Sequence, residues 1–276
     1  RPFFFQADDG IRHSRVSRGL GDGYKRQIPW LERTVSCMLR TVFLFGACLL
    51  CFERRKSKLG SVHNQHFKPR LAMFAVGIFL MTFGIALSCK ADLGTSPISS
   101  VPWVMSMFLP FSLGDITIMM NIVMILAQPL ILRALYVREL VGQLLTTLAF
   151  GCSIDFSMGL LDWFIPGSAL EQWLACLLSI VVLALGVFLE VRAKIFLVAG
   201  EGVVSVLAFV TQKKFSLIKN CFDISLVTLA IIISWVEFGT LQGVGAGTVV
   251  AAVLVGRFVH LYESRLSFFD RWKVEA

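Results

Sequence analysis

Charge is scarce in this chain. Only 16% of its 276 residues are Asp, Glu, Lys or Arg, where a soluble domain carries about a quarter. Histidine is scarcer still: His13, His63, His66 and His260 lie far apart, which leaves no cluster for metal ligation or general-base chemistry. Seven cysteines are present, and Cys48 and Cys51 share the spacing CLLC. No histidine or second cysteine pair stands near them, so neither a zinc site nor a disulfide framework is expected. The phosphate-binding G-x-x-x-x-G-K-[ST], the metalloprotease H-E-x-x-H and the nucleophile elbow G-x-S-x-G are all missing, and soluble-enzyme chemistry goes with them. No cofactor, no metal and no enzymatic activity are expected.

What the chain has instead is hydrocarbon. It is 56% hydrophobic with a mean hydropathy of +0.76. Leu71–Cys89, Ile116–Leu132 and Trp173–Leu189 contain no charge, and Cys221–Val236 contains only Asp223. Runs of this length approach the roughly 20 residues a helix needs to cross a bilayer. The expected fold is all-α, a polytopic membrane bundle of about six spans near 71–89, 116–135, 140–160, 172–190, 220–237 and 243–261. Residues 1–67 are basic and without sustained periodicity, and are expected to be a disordered or artefactual extension. The integral membrane domain is expected over 68–265, with 266–276 a cytoplasmic tail.

Charge sets the orientation. Of the Lys and Arg residues from position 68 onward, all but Lys90 fall before span 1, between spans 2 and 3, between spans 4 and 5, or at the end of span 6. The positive-inside rule assigns that face, and both termini, to the cytoplasm. The net charge of +8 is explained this way, without nucleic acid. Two further apolar segments, Ile98–Phe111 and Ile195–Thr211, would place Arg133 and Arg138 outside if counted as spans. They are expected to be re-entrant half-helices.

The sequence also matches itself. GIALSCKADLGTSP from Gly84 aligns with GVFLEVRAKIFLVAGEG from Gly186, FSLGDITIMMNIVMILA from Phe111 with FSLIKNCFDISLVTLA from Phe215, and LAFG from Leu148 with VLVG from Val253. The order is common and the offset nearly constant. Repeat 1 covers about 70–163 and repeat 2 about 172–262. Three spans per repeat is an odd number, so the second copy is expected upside down. Inverted repeats broken by polar segments mark secondary transporters, and the breaks mark the binding site.

The candidate site residues follow from those breaks. Lys90, Asp92 and Gly94 leave span 1, Thr95 or Ser96 caps a new helix, Pro97 suits its first turn, and the helix is expected over Ile98–Phe108. Its free N–H groups favour an anion; a plain external loop with an interfacial helix is the alternative. In repeat 2, Arg192 matches Lys90, and Gly200, Glu201 and Gly202 are expected to break the run so that the half-helix starts at Val203. Glu201 is either an ion site or a simple helix cap. Within the spans, Asn121 and Asp223 are repeat partners, Asp155 stands one turn beyond Gly151, and Glu190 is spaced to pair with Lys194. An intramembrane carboxylate is a functional candidate, although near a span end a salt bridge or snorkelling serves as well. Lys90, Asp92, Gly94, Thr95, Ser96, Asn121, Arg192, Gly200 and Gly202 are therefore candidates for solute binding, and Glu201, Asp223 and Asp155 for ion coupling. The strip Leu241–Gly256, rich in Gly and Ala, is expected to pack helices closely.

KADLGTSPISSVPW, FSLGDITIMMNIVMILAQPLILR, LEVRAKIFLVAGEG and LQGVGAGTVVAAVLVG together resemble the YczE/YyaS/YitT group of bacterial integral membrane proteins, over about residues 70–262. The resemblance implies a multi-pass protein of the bacterial plasma membrane. The function expected is transport or export of a small polar or anionic solute; the alternative is a non-transporting scaffold for a partner enzyme or exporter. The lipid bilayer and a small solute are the expected partners, nucleic acid is not one, and homo-oligomer formation is left open.

Overall fold

The computed structural model describes residues 67–134, 137–193 and 195–266, and the expectations for 1–66, for Lys194 and for the tail beyond 266 lie outside them. The described residues form eight helices and no strand: α1 (Phe67–Ala91), α2 (Pro97–Ser106), α3 (Leu113–Leu132), α4 (Val137–Leu160), α5 (Ala169–Ala193), α6 (Ala199–Thr211), α7 (Phe215–Phe238) and α8 (Ala246–Arg265). Six are long and apolar enough to span a membrane. The two short ones, α2 and α6, are the two half-helices. The protein is a polytopic α-helical membrane bundle.

Hydroxyl side chains survive inside such helices because they bond back to their own backbone. Thr82 Oγ1 donates to the Phe79 carbonyl at 2.9 Å, Thr117 Oγ1 to Leu113 at 2.7 Å, Thr146 Oγ1 to Gly142 at 2.9 Å and Ser179 Oγ to Cys176 at 2.7 Å. The start of α3 uses polar capping chemistry. Ser112 caps α3, accepting from the Asp115 N–H at 2.9 Å while the Asp115 carboxylate accepts from the Ser112 N–H, a capping box that satisfies two orphan donors.

The repeat is visible in the packing. Helices α1 and α5 form the central crossing, where side chains are too small to separate the backbones. A Cβ on Gly84 would lie 2.9 Å from the Ser179 carbonyl oxygen and 2.9 Å from the Leu183 nitrogen, and one on Gly186 would press on the Gly77 carbonyl and the Met81 nitrogen. At an offset of 102 these two contacts are the same contact: Gly84 corresponds to Gly186, Gly77 to Ser179 and Met81 to Leu183. Residue numbers rise along α1 as they fall along α5, so the helices are antiparallel and the second repeat is inverted. The other pairs obey the same pseudo-two-fold. Helix α4 packs on α1 as α8 packs on α5, and α6 packs on α3 as α2 packs on α7. Each half-helix thus leans on a span of the opposite repeat.

Two apolar cores result. One gathers α1, α4, α5 and α8 around Phe74, Ile154, Ile180 and Phe188. The other gathers α2, α3, α6 and α7 around Val104, Met124, Val203 and Leu226. The symmetry fails at one place. Helices α3 and α4 pack tightly, while α7 and α8 make no comparable contact. Gly114 and Gly151 bring α3 and α4 together: a Cβ on Gly114 would strike the Gly151 carbonyl and the Asp155 carboxylate. Their counterparts are Ile218 and Gly256, and a Cβ on Gly256 would meet nothing within 4 Å. The Leu241–Gly256 strip therefore serves close packing at Gly245 and Gly247, which lie against Leu93, and not at Gly256.

Candidate functional site

The first break begins where α1 ends. Asp92 and Gly94 take positive φ values of 55° and 100°, conformations that Asp tolerates and Gly favours. The turn drives the chain into the loop preceding α8. The Gly247 N–H donates to the Leu93 carbonyl at 2.8 Å and the Thr95 N–H to the Gly243 carbonyl at 3.4 Å. Gly94 is essential to the fit, since a Cβ there would press on the Gly245 nitrogen and Thr248 Oγ1. Ser96 is the N-cap residue of α2 and Pro97 lies in its first turn, as expected, but the helix runs Pro97–Ser106, not Ile98–Phe108, and the Ser96 side chain does not cap. It donates to Ser99 Oγ at 3.0 Å, while Ser100 Oγ donates to the Pro97 carbonyl at 2.7 Å. Thr95, Ser96, Ser99 and Ser100 are all buried. Lys90 stands at the rim and pairs with Asp162 at 3.2 Å; Asp92 is exposed beside it. The seam is hydroxyl-lined, internally bonded and closed.

The second break differs from the expected one. Helix α6 starts at Ala199, with Val198 as N-cap residue, so Gly200, Glu201 and Gly202 form its first turn and do not precede it. The glycines are there for close approach. Gly200 faces the side chain of Ile98, and a Cβ on Gly202 would lie 2.8 Å from the amide nitrogens of both Gln128 and Gln143. Ile98 and Gly200 are repeat counterparts, so the pseudo-two-fold passes between them and the N-terminal turns of α2 and α6 meet there. Glu201 sits at the positive end of the α6 dipole, where a carboxylate is favoured.

Around that turn lies a polar cluster. Gln128 and Gln143 are buried and exchange two hydrogen bonds, Gln128 Nε2 to Gln143 Oε1 at 2.7 Å and Gln143 Nε2 to Gln128 Oε1 at 3.1 Å. Glu190, in the last turns of α5, is 2% exposed, and neither carboxylate oxygen makes a full hydrogen bond among the described residues, although the Val198 backbone N–H lends it partial support. It interacts electrostatically with Glu201, which in turn feels Lys219 and Asp223. Lys219 and Asp223 pair at 3.4 Å, one turn apart on α7. A cleft of about 380 Å³ opens beside Glu190, lined by Glu139, Gln143, Glu190, Val191, Ile195, Phe196 and Leu197.

The remaining candidates lie elsewhere. Asp155 ties α4 to the start of α3, accepting from Ser112 Oγ at 2.7 Å and from the Gly114 N–H at 2.8 Å. Arg192 is in the last turn of α5, its guanidinium 5.3 Å from the centre of the Phe188 ring. Asn121 is buried on the face of α3 that also carries Thr117 and Gln128. The structure thus gathers Gly200, Glu201, Gly202 and Asp223 with Glu190, Gln128 and Gln143, and leaves Lys90, Asp92, Gly94, Thr95 and Ser96 at the opposite seam. Gln128 and Gln143 were not singled out by the sequence. Their signal was a lone amide inside each of two otherwise apolar stretches, which is costly unless matched.

Residues 68–264 match the model of a family described as a family of unknown function, DUF6198. The chain belongs to that family. The matched segment takes in nearly all of the eight helices of this DUF6198 protein, both half-helices included. No curated protein and no solved structure matches the chain.

Proposed function

We propose that this DUF6198 protein is a small secondary transporter whose solute passes between the N-terminal turns of α2 and α6. One observation carries the proposal: two inverted repeats bring two half-helix ends together at Ile98 and Gly200, within a bundle of six spans. Non-spanning backbone at membrane depth needs protein or water around it, and opposed half-helices at a repeat interface provide a site that both faces can reach in turn. The asymmetry supports the same reading. One seam is buried and internally bonded, and the other opens into a cleft. By the positive-inside rule the cleft faces the cytoplasm, as do both ends of the helical unit. The resemblance to the YczE/YyaS/YitT group adds the bacterial plasma membrane as the location. An anionic solute draws less support, because the Lys90 charge is engaged by Asp162 and the α2 terminus is filled by its own hydroxyls.

The test is flux. Purified protein in liposomes should move solute down an imposed pH gradient, and Glu201→Gln should abolish the dependence on that gradient. Unchanged gradient-driven flux in Glu201→Gln removes Glu201 from coupling. No flux under any gradient, together with co-purification of a partner enzyme or exporter, establishes the scaffold role in place of transport.

A further inference from the structure

Glu190 is the least comfortable group in the described structure. A carboxylate can only accept hydrogen bonds, and the helix around it has already committed its N–H groups. Neither oxygen makes a full hydrogen bond among the described residues, at 2% exposure, on the wall of a cleft; the Val198 backbone N–H at the start of α6 gives the carboxylate partial support. The surroundings worsen its position. Glu201 repels it from the first turn of α6, and Glu139 adds a third carboxylate on the lining. The neighbouring amide does not reach it: Gln143 gives its oxygen and one N–H to Gln128, and its second N–H makes no hydrogen bond to Glu190. Lys219 is held by Asp223. Charge of this kind inside a membrane protein calls for a counter-charge.

We propose that the cleft is a binding site for a monovalent organic cation, with its charged group on Glu190 and its apolar body against Phe196 and Leu197. A hard metal ion fits poorly. Calcium and magnesium need about six oxygen ligands, and no group of three or more His, Cys, Asp or Glu residues among the described residues is arranged to hold a metal. The rest of the wall is hydrocarbon: Val191, Ile195, Phe196 and Leu197. A carboxylate at the back, an aromatic ring and aliphatic chains at the sides suit an ammonium or guanidinium group with an apolar substituent, which gains an ion pair and a cation–π contact together. The site follows from the cleft alone and stands whether or not the protein moves solute.

The experiment is calorimetric titration of the full-length protein in detergent with benzylammonium, against benzyl alcohol as its neutral isostere. Benzylammonium is expected to bind, benzyl alcohol not to, and Glu190→Gln to weaken benzylammonium at least tenfold. Equal binding of the two probes, or no binding of benzylammonium, overturns the proposal, and this comparison on the native protein decides even if Glu190→Gln does not fold. Lys194→Gln is expected to leave affinity unchanged or raised; binding that appears only in this variant shows that Glu190 already has an internal partner and also overturns the proposal. Selective binding without flux in liposomes retains the site and sinks transport, while flux without selective binding does the reverse.

Discussion

The two seams of this protein are built from equivalent helices and unlike chemistry. Ser99 and Ser100 line the closed seam and Ser88 is buried near the end of α1; 102 positions after these three stand Glu201, Gly202 and Glu190. A buried hydroxyl in a helix satisfies itself, as Ser88 does on the Ile85 carbonyl at 2.9 Å and Ser100 on Pro97 at 2.7 Å. Such a seam closes at little cost. A carboxylate inside a helix has no equivalent local solution, since it needs donors and the helix interior has none to spare; for Glu190 partial support comes from another element, the Val198 N–H at the start of α6. The carboxylate seam opens instead into a cleft, and the same fold yields a tight side and an open side. The spans behave likewise. Asp155 and two glycines lock α3 to α4, whereas the corresponding positions on α7 and α8 are Ile218, Gly256 and His260, and those helices stand apart.

The sharpest way to break the comparison is to put side chains on paired glycines. Gly186→Val drives a branched side chain into the Met81 nitrogen and the Gly77 carbonyl, backbone atoms that cannot rotate away. Overpacking of this kind costs about 3 kcal/mol or more, and since α1 and α5 hold both repeats together, little folded protein should be recovered from detergent extracts. Gly256→Ala is the control. It meets no atom within 4 Å and should leave the melting temperature unchanged or slightly raised, because Ala favours a helix by roughly 1 kcal/mol over Gly. Equal damage from both would mean that α7 and α8 close in solution.

Asp155→Ala tests the lock itself. It strands the Ser112 hydroxyl and the Gly114 N–H, each bonded to Asp155 within 2.8 Å, and losing buried partners of a charged group costs about 2–3 kcal/mol. Amide hydrogen exchange over residues 112–116 should accelerate, making α3 and α4 resemble α7 and α8; unchanged protection there removes Asp155 from that role. A smaller effect is expected at the amide pair. Gln128→Leu leaves Gln143 buried without its partner, at about 1–2 kcal/mol, and the double variant with Gln143→Leu should lose less than the two single losses summed. Additive losses in thermal melts would show that the amides act independently.

The architecture was legible because it rests on coarse signals. Span lengths follow from hydrocarbon thickness, and the observed spans fall within a few residues of those read from the sequence, as at Ala169–Ala193 against 172–190. Pro97 and Gly94 announced the first half-helix, since only a restricted φ and a positive φ explain them there. The second half-helix was misplaced by four residues, because Gly200 and Gly202 resemble a break in one dimension while in three they admit Ile98 and the glutamine pair. The site was less legible for a related reason. Asp155 reads as an ion-coupling candidate in sequence, and its two donors from α3 appear only in the fold; the pairing of Glu190 with Lys194 lies outside the described residues, and the cleft beside Glu190 appears only in the fold. A carboxylate's role depends on what the other repeat places against it, and sequence spacing within one helix does not carry that information.

The rim pair gives the smallest and most discriminating effect. Lys90 is 10% exposed and Asp162 47% exposed, so much of the field between them is screened, and breaking such a pair costs about 1 kcal/mol or less. Lys90→Met and Asp162→Asn should each shift the melting temperature by a degree or two, and the double variant should shift it no further than the larger single change. If Lys90 instead steers anions toward the α2 terminus, Lys90→Met will alter the anion dependence of flux while Asp162→Asn, which removes the neighbouring negative charge, alters it in the opposite direction. Matched changes of the same sign in both variants would make the pair a structural clasp on the closed seam, and would leave the open seam as the side where charge is read.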